Sequence, residues 1–264
     1  MNISLPRLAY FIITNMMSIY FFYHMWMTGA WYLLAPAILG YLFLQYTISV
    51  HYHMGVTHGA LKFNYKAIDH FFTWVGISLA NSSPIPWALI HRMHHKFIDT
   101  DRDPHSPQRH GFITSYAHLW KMPDFLTENQ DVPKRDLIAK YRHLFVYNNI
   151  YILTAVFFAI WYGIYFLFGL EGVLVWAFAC TMESHNLGVI NAWVHKKGDK
   201  LIDNTPPWFL VLFMATPEGA YHDEHHAAPR KYTHTNSWLE WPARLTEFLH
   251  RMGIVTIHDY KVQQ

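Results

Sequence analysis

Residues 8–61 read LAYFIITNMMSIYFFYHMWMTGAWYLLAPAILGYLFLQYTISVHYHMGVTHGAL, 54 residues between Arg7 and Lys62 without a single aspartate, glutamate, lysine or arginine. A helix crosses a bilayer core with about 20 apolar residues, so this stretch has the length of a two-helix hairpin. Its turn falls near Thr28-Gly29-Ala30, and Pro36 opens the second helix. The first helix lacks a small-residue cleavage site and runs directly into the second, which reads as a retained span rather than a signal peptide. A second apolar block extends from about Leu144 to His195 and carries only Glu171 and Glu183. Phe168-Gly169-Leu170-Glu171-Gly172 reads as its turn. Four spans are expected, at about 8–27, 31–54, 146–168 and 172–193.

The charge distribution supports that topology. All 20 Lys and Arg lie at Arg7, between Lys62 and Arg142, or beyond His195, and the two opposite turns hold none. Basic residues collect on the cytoplasmic side of membrane proteins, so both termini and the long middle segment are expected there. Charged residues make up 14% of the chain, against roughly 25% in soluble domains, which argues against a freely soluble protein. The mean hydropathy of +0.05 still leaves much of the chain outside lipid. A net charge of +2 gives no general pull toward nucleic acid, and the lone Cys180 excludes a disulfide framework or a cysteine-based zinc finger. The uncharged run His70–Ile90 contains Asn81, Ser82, Ser83, Pro84 and Pro86, whose unpaired backbone would be costly in lipid. It reads as an interfacial helix followed by a bend.

Twenty histidines are the compositional outlier. Three clusters stand out: His53-Met-Gly-Val-Thr-His58 with His51 beside it, His91-Arg-Met-His94-His95, and His222-Asp-Glu-His225-His226. Positions i, i+3 and i+4 share a helix face, so each of the last two presents three imidazoles from one stripe. Asn191 and His195, four apart, close the fourth span. His53 and His58 are five apart and diverge on an ideal α-helix, so a distorted helix end, or one ligand on the following turn, is needed. The topology brings nine groups to one membrane–water level: His53, His58, His91, His94, His95, His195, His222, His225 and His226. A tetrahedral zinc takes three or four ligands, so nine imidazoles suggest two metals of higher coordination number. Imidazole suits iron, copper, nickel and zinc alike. His24, His70, His185 and His250 read as satisfied core or interfacial histidines.

With these residues in place the chain resembles the membrane fatty-acid desaturases, specifically the stearoyl-CoA desaturase-like branch. That family carries HxxxxH, HxxHH and HxxHH boxes and an NxxxH element, here His53–His58, His91–His95, His222–His226 and Asn191–His195. The flanks from Trp87 to His105, from Glu218 to Pro229 and at Trp238-Leu-Glu-Trp-Pro242 are similar as well, over roughly residues 40–255. The resemblance implies an all-α integral membrane protein of four transmembrane helices beneath a cytoplasmic helical cap (59–145 and 196–264), a mushroom-like single domain over 1–264. It implies a di-iron centre on the nine histidines, with Asn191 held to one metal through a water. The implied reaction is the O₂-dependent insertion of a cis double bond into a long acyl chain carried on CoA, acyl-carrier protein or lipid. Electrons would come from a separate donor (ferredoxin, cytochrome b5 or a reductase). Hydroxylation or decarboxylation on the same scaffold is the near alternative.

Further roles follow from position. Trp87 matches a tunnel-wall tryptophan of the family, or else belongs to an interfacial aromatic belt. Asp99, Asp101 and Asp103 either orient ligating imidazoles, which commonly donate their second N–H to an acceptor, or form a solvated acidic loop. Glu218 has the same two readings. Arg92, Lys96, Arg102, Arg109, Lys196 and Lys197 face a phosphate-bearing headgroup or are ordinary cytoplasmic charges. The sequence departs from the family at Gly59, where an arginine is common after the first box, and at Asp223 and Glu224 inside the third. Metal transport is disfavoured because transporters place ligands near the bilayer midplane, and a haem carrier because His24, His51 and His185 do not pair in depth.

Overall fold

The computed structural model describes residues 4–79, 82–119, 132–195, 222–234 and 240–258. Helix α1 (Leu5–Thr28) has Pro6 in its first turn and stops at Gly29, whose left-handed φ of 73° lets its N–H reach the Met25 carbonyl. A 3₁₀ turn, Trp31–Leu33, leads into α2 (Leu34–Tyr46), which continues unbroken as π-helical turns over Thr47–Thr57. Trp31–Thr57 is one of two described helices long and apolar enough to cross a membrane; the other is Ile150–Ala192, 43 residues. A straight helix of that length would extend about 65 Å, twice a bilayer core of about 30 Å.

It is not straight. Helix α8 (Ile150–Gly188) breaks at Gly169, with φ 63° and ψ −157°, a backbone region open essentially to glycine alone. Contacts with α1 show that the chain reverses there. Tyr10 meets Phe157 edge-on at 6.0 Å. Beyond the break, Phe21 packs on Phe178 at 5.1 Å, Ser18 donates to Thr181 at 2.8 Å and His24 pairs with Glu171 at 3.1 Å. As α1 rises the partner number falls, so the second half of α8 runs antiparallel to it. The expected turn over 168–172 shrinks to one residue, and helix resumes at Leu170. The third segment starts at Ile150 rather than 146. Arg142–Asn148 is a 3₁₀ turn, and the Asn149 side chain caps the helix by accepting from the Tyr151 and Ile152 amides.

The uncharged run around His70–Ile90 is divided as its serines and prolines require. Helix α3 (Lys66–Ser78) ends before them and α4 (Pro84–Phe97) begins on Pro84. Short helices α5 (Pro107–His110), α6 (Phe112–Tyr116) and α7 (Arg135–Tyr141) follow, and α9 (His222–Ala227) and α10 (Trp241–Arg251) are the remaining helices among the described residues. The described fold is predominantly helical, as expected, with one short ribbon added. Strands β1 (Leu61–Phe63) and β2 (Val255–Ile257) pair antiparallel, Leu61 opposite Ile257. Their alternate residues point into an apolar cluster with Tyr46, Val50 and Phe72, where backbone amides need partners that a loop would lack.

Helix α3 presses closely on the π-helical stretch. A Cβ placed on Gly76 would stand 2.5 Å from the ring of the fully buried Tyr52. Gly76→Ala is therefore expected to lower the thermal midpoint of the detergent-solubilised protein, through an overpacking cost of about 1–3 kcal/mol. An unchanged midpoint would show that the Tyr52 ring yields freely.

Candidate metal centre

The first histidine pair depends on the π-helix. Hydrogen bonds from i to i+5 stack residues five apart, and the His58 amide donates to the His53 carbonyl at 3.1 Å. The distortion that HxxxxH spacing demanded is thus an eleven-residue helical variant, Thr47–Thr57. A shorter π-helical stretch, Val189–Val194, delivers His195.

The nine histidines fall into two groups: His53, His58, His91, His95 and His225 in one, His94, His195, His222 and His226 in the other, with ring nitrogens in each group within 4.8 Å of one another. The expectation of one stripe per HxxHH box is corrected here. At about 100° per residue, i and i+4 are 40° apart, whereas i+3 lies about 100° from i+4. Helix α4 accordingly gives His91 and His95 to the first group and His94 to the second. Helix α9 does the reverse, giving His222 and His226 to the second and His225 to the first. The groups touch where the rings of His95 and His226 stack at 4.1 Å.

Within each group the Nε2 atoms converge. His91 lies 2.9 Å from both His53 and His95, His58 is 3.1 Å from His53, and His225 is 3.1 Å from His95. In the second group His222 lies 2.8 Å from His195 and 3.1 Å from His226. Nitrogens bound to one metal at about 2.1 Å are about 3.0 Å apart at right angles and about 3.4 Å apart at tetrahedral angles. The observed spacings match right-angled donors rather than tetrahedral ones, as octahedral or square-planar coordination requires.

Two buried carboxylates fix which nitrogen faces inward. Asp103, fully buried, accepts through Oδ2 from His94 Nδ1 and from the Asp99 amide, both at 2.9 Å, and through Oδ1 from the His105 amide at 2.9 Å. Asp99, held at a left-handed φ of 53°, takes His195 Nδ1 on Oδ2 at 3.2 Å. A carboxylate only accepts, so each of these rings carries its proton on Nδ1 and turns a lone pair of Nε2 toward the group centre. Two lone pairs facing each other at 2.8 Å, as at His195 and His222 if both rings are so protonated, need a cation between them. Burial would raise the Asp103 carboxyl, but His94 beside it and the His105 amide outweigh that and hold it below the usual range.

The other sequence candidates are placed as follows. Trp87 stacks on His91 at 5.0 Å with ring planes 10° apart. Asp101 is exposed and makes no described bond to a histidine, so the acidic loop divides into two orienting carboxylates and one solvated one. Asn191 turns its amide to His118 Nδ1 at 3.3 Å. Arg92 clamps Asp136 at 2.6 and 2.8 Å and the Thr57 and Pro133 carbonyls, which commits it to the fold rather than to a headgroup. Arg102 lies 3.9 Å above the Phe97 ring, with Lys96 at 5.3 Å; Arg109 and Glu224 are exposed. Glu218, Lys196 and Lys197 lie outside the described residues. His24, His70, His185 and His250 have partners away from the two groups, namely Glu171, Tyr147, Tyr116 with Asn15, and the Val255 carbonyl.

Sequence reading passed over His105, whose ring stacks on His94 at 5.1 Å, and His118. The run Asp103-Pro104-His105 was the available signal for the first; His118 stands in no motif. It also passed over a buried Asp69 between His51 at 3.3 Å and His143 at 2.9 Å.

Burial drives the imidazoles of His58, His91 and His225 well below their ordinary range, aided by neighbouring histidines, and takes His95 down to about 2. These rings are neutral in the fold, while unfolded histidine titrates near about 6.5. Below that pH the unfolded chain binds more protons, so fold stability is present above it and is lost progressively as pH falls. Metal binding needs the same neutral rings and weakens in the same direction. Thermal midpoint and metal retention are expected to decline together from about pH 7 to about pH 5; a flat profile would contradict the burial argument.

A profile of the fatty acid desaturase family matches residues 26–242. The chain is 29% identical over 241 residues to a delta-9 acyl-lipid desaturase of Arabidopsis thaliana, covering 86% of this chain and 75% of that one. It is 27% identical over 226 residues to an acyl-CoA 5-desaturase of Anemone leveillei (80% and 66%). It is also 27% identical over 229 residues to a chloroplastic palmitoyl-monogalactosyldiacylglycerol delta-7 desaturase of Arabidopsis thaliana (79% and 57%). The chain thus spans between about half and three quarters of these relatives' lengths. It belongs to the fatty acid desaturase family, and is an oxidoreductase of lipid metabolism.

Proposed function

We propose that this protein is an O₂-dependent desaturase that inserts a cis double bond into a long acyl chain, using two iron ions held by the nine histidines. The observation that carries the reading is the convergence of those imidazoles into two groups of five and four, with ligand nitrogens in each group within 4.8 Å of one another. The named relatives act on acyl lipids and acyl-CoA, so the substrate is a fatty acyl thioester or acyl lipid. The four spans, the cytoplasmic cap, the single domain over 1–264 and the separate electron donor belong to the same proposal. It is supported by the charge-free segments and by apolar side chains such as Ile12, Ile19, Phe158 and Phe166 that α1 and α8 leave exposed.

The overall change is –CH₂–CH₂– plus O₂, two electrons and two protons to –CH=CH– plus two waters. Bound iron supplies the O₂-dependent oxidation of an unactivated methylene pair, which side chains alone do not provide. The chain's own residues set the conditions. Asp99 and Asp103 hold His195 and His94 in the ligating tautomer. Trp87, flat against His91, walls the centre on one side. With the Nδ1 protons of His94 and His195 donated to carboxylates, the Nε2 lone pairs of these two rings are left free to bind. Asn191 is proposed to serve the four-histidine ion through a water, on the face it shares with His118.

Expression in a host of known lipid profile, with mass spectrometry of the products and iron analysis of the purified protein, tests the proposal. New monounsaturated acyl chains and about two iron ions per chain are expected. Hydroxylated or shortened chains without new unsaturation would overturn the assigned reaction, and stoichiometric zinc the assigned metal.

A further inference from the structure

Away from the histidines, α1 and the first half of α8 enclose a groove of about 500 Å³, within the range of small-molecule sites. Ile13, Met17, Leu153, Phe157 and Trp161 line it, and Ile13 and Phe158 are 55% and 63% exposed along its open side. Its polar wall groups are largely spent on the fold: Tyr10 and Trp161 both donate to the Ser78 carbonyl, and Thr14 bonds to the Tyr10 carbonyl. Among the described residues one charged side chain lines the groove, Arg7, at the end of α1 where the uncharged stretch begins. Its described hydrogen bond is a single one, to the His118 carbonyl at 3.2 Å, and among the described residues it makes no ion pair. A smaller notch of about 30 Å³ shares Arg7 and Tyr10 and adds His118 and Ser184.

Among the described residues this half-buried guanidinium, with five donors, meets one acceptor and no anion. An apolar slot leading from it along the helices lacks a chain. We propose that one amphiphile supplies both: an anionic phospholipid of the cytoplasmic leaflet, its phosphate on Arg7 and one acyl chain laid between α1 and α8. Basic pockets between spanning helices on that side recognise such headgroups, and arginine matches phosphate geometry. The groove is open along its length, which suits a lipid entering sideways from the bilayer. This inference rests on the membrane-spanning reading above.

The test is native mass spectrometry of the iron-loaded protein released from nanodiscs of three kinds: phosphatidylcholine alone, with phosphatidylglycerol, and with palmitate. Retention of one phosphatidylglycerol is expected. It should weaken about tenfold, roughly 1.4 kcal/mol, in Arg7→Gln, persist in Arg7→Lys, and vanish in Ile13→Trp, which fills the groove from an exposed position. Equal retention of phosphatidylcholine, preference for palmitate, or indifference to Arg7→Gln would overturn the site. Resistance of the membrane-bound protein to carbonate extraction is measured in parallel. Loss of that resistance in the wild type sinks the membrane reading, whereas an integrated protein without lipid preference sinks only this inference.

Discussion

His94→Ala is expected to abolish product formation, to below about 1% of the wild type, while the protein remains in the membrane. The size follows from where the side chain sits. His94 is one of only four imidazoles in its group, it is 2% exposed, and its Nδ1 is anchored on Asp103. Its loss removes a ligating nitrogen from that group, and it leaves the Asp103 carboxylate buried without one of its three hydrogen-bond donors. Perturbing a partner one step further out already costs about 10–100-fold, so deletion of the donor itself must cost more. Iron content read beside activity separates the explanations. A drop from about two ions to one or none, with unchanged detergent-phase yield, locates the defect in the centre. Retained turnover in this variant, and in His91→Ala and His222→Ala, would remove these residues from the catalytic site.

Asp103→Asn should lower metal affinity and turnover by about 10–100-fold while keeping side-chain volume. The carboxylate accepts three bonds and donates none. An asparagine amide can keep its oxygen toward either the His105 amide or the His94 and Asp99 pair, but must aim its NH₂ at the other. If the NH₂ faces His94, the ring is driven to carry its proton on Nε2, and the lone pair needed at the centre is lost. Asp99→Asn is expected to act likewise through His195, and Asp101→Asn to change nothing, since that carboxylate is solvated. Equal effects at all three positions would mean that loop charge, not tautomer control, is what matters.

Much of this was legible in the sequence because the signals were redundant. The charge-free runs marked the long apolar helices, and the glycines at 29 and 169 marked where those helices stop or break. The serines and prolines near residue 83 correctly divided α3 from α4. Histidine spacing located the nine imidazoles, and for His53 and His58 even the need for a distorted helix. Other features were not legible because they are set by distant packing. Nothing local distinguishes Asp101 from Asp99 and Asp103; only the folded loop, with Asp99 at positive φ, turns one outward. The β1–β2 pairing joins residues almost 200 apart, and three-residue strands carry too little pattern to announce it. Arg92 gave no hint that its partner would be Asp136.

The crossed assignment of α4 and α9 has a consequence for assembly. On the proposed two-ion reading neither ion would own a helix, because each of the two helices lends two rings to one histidine group and one ring to the other. Seating the first ion therefore fixes the rotation and register of both helices, and most of the ordering cost of the second ion has already been met. The centre should fill cooperatively, passing from empty to doubly loaded with little singly loaded protein in between.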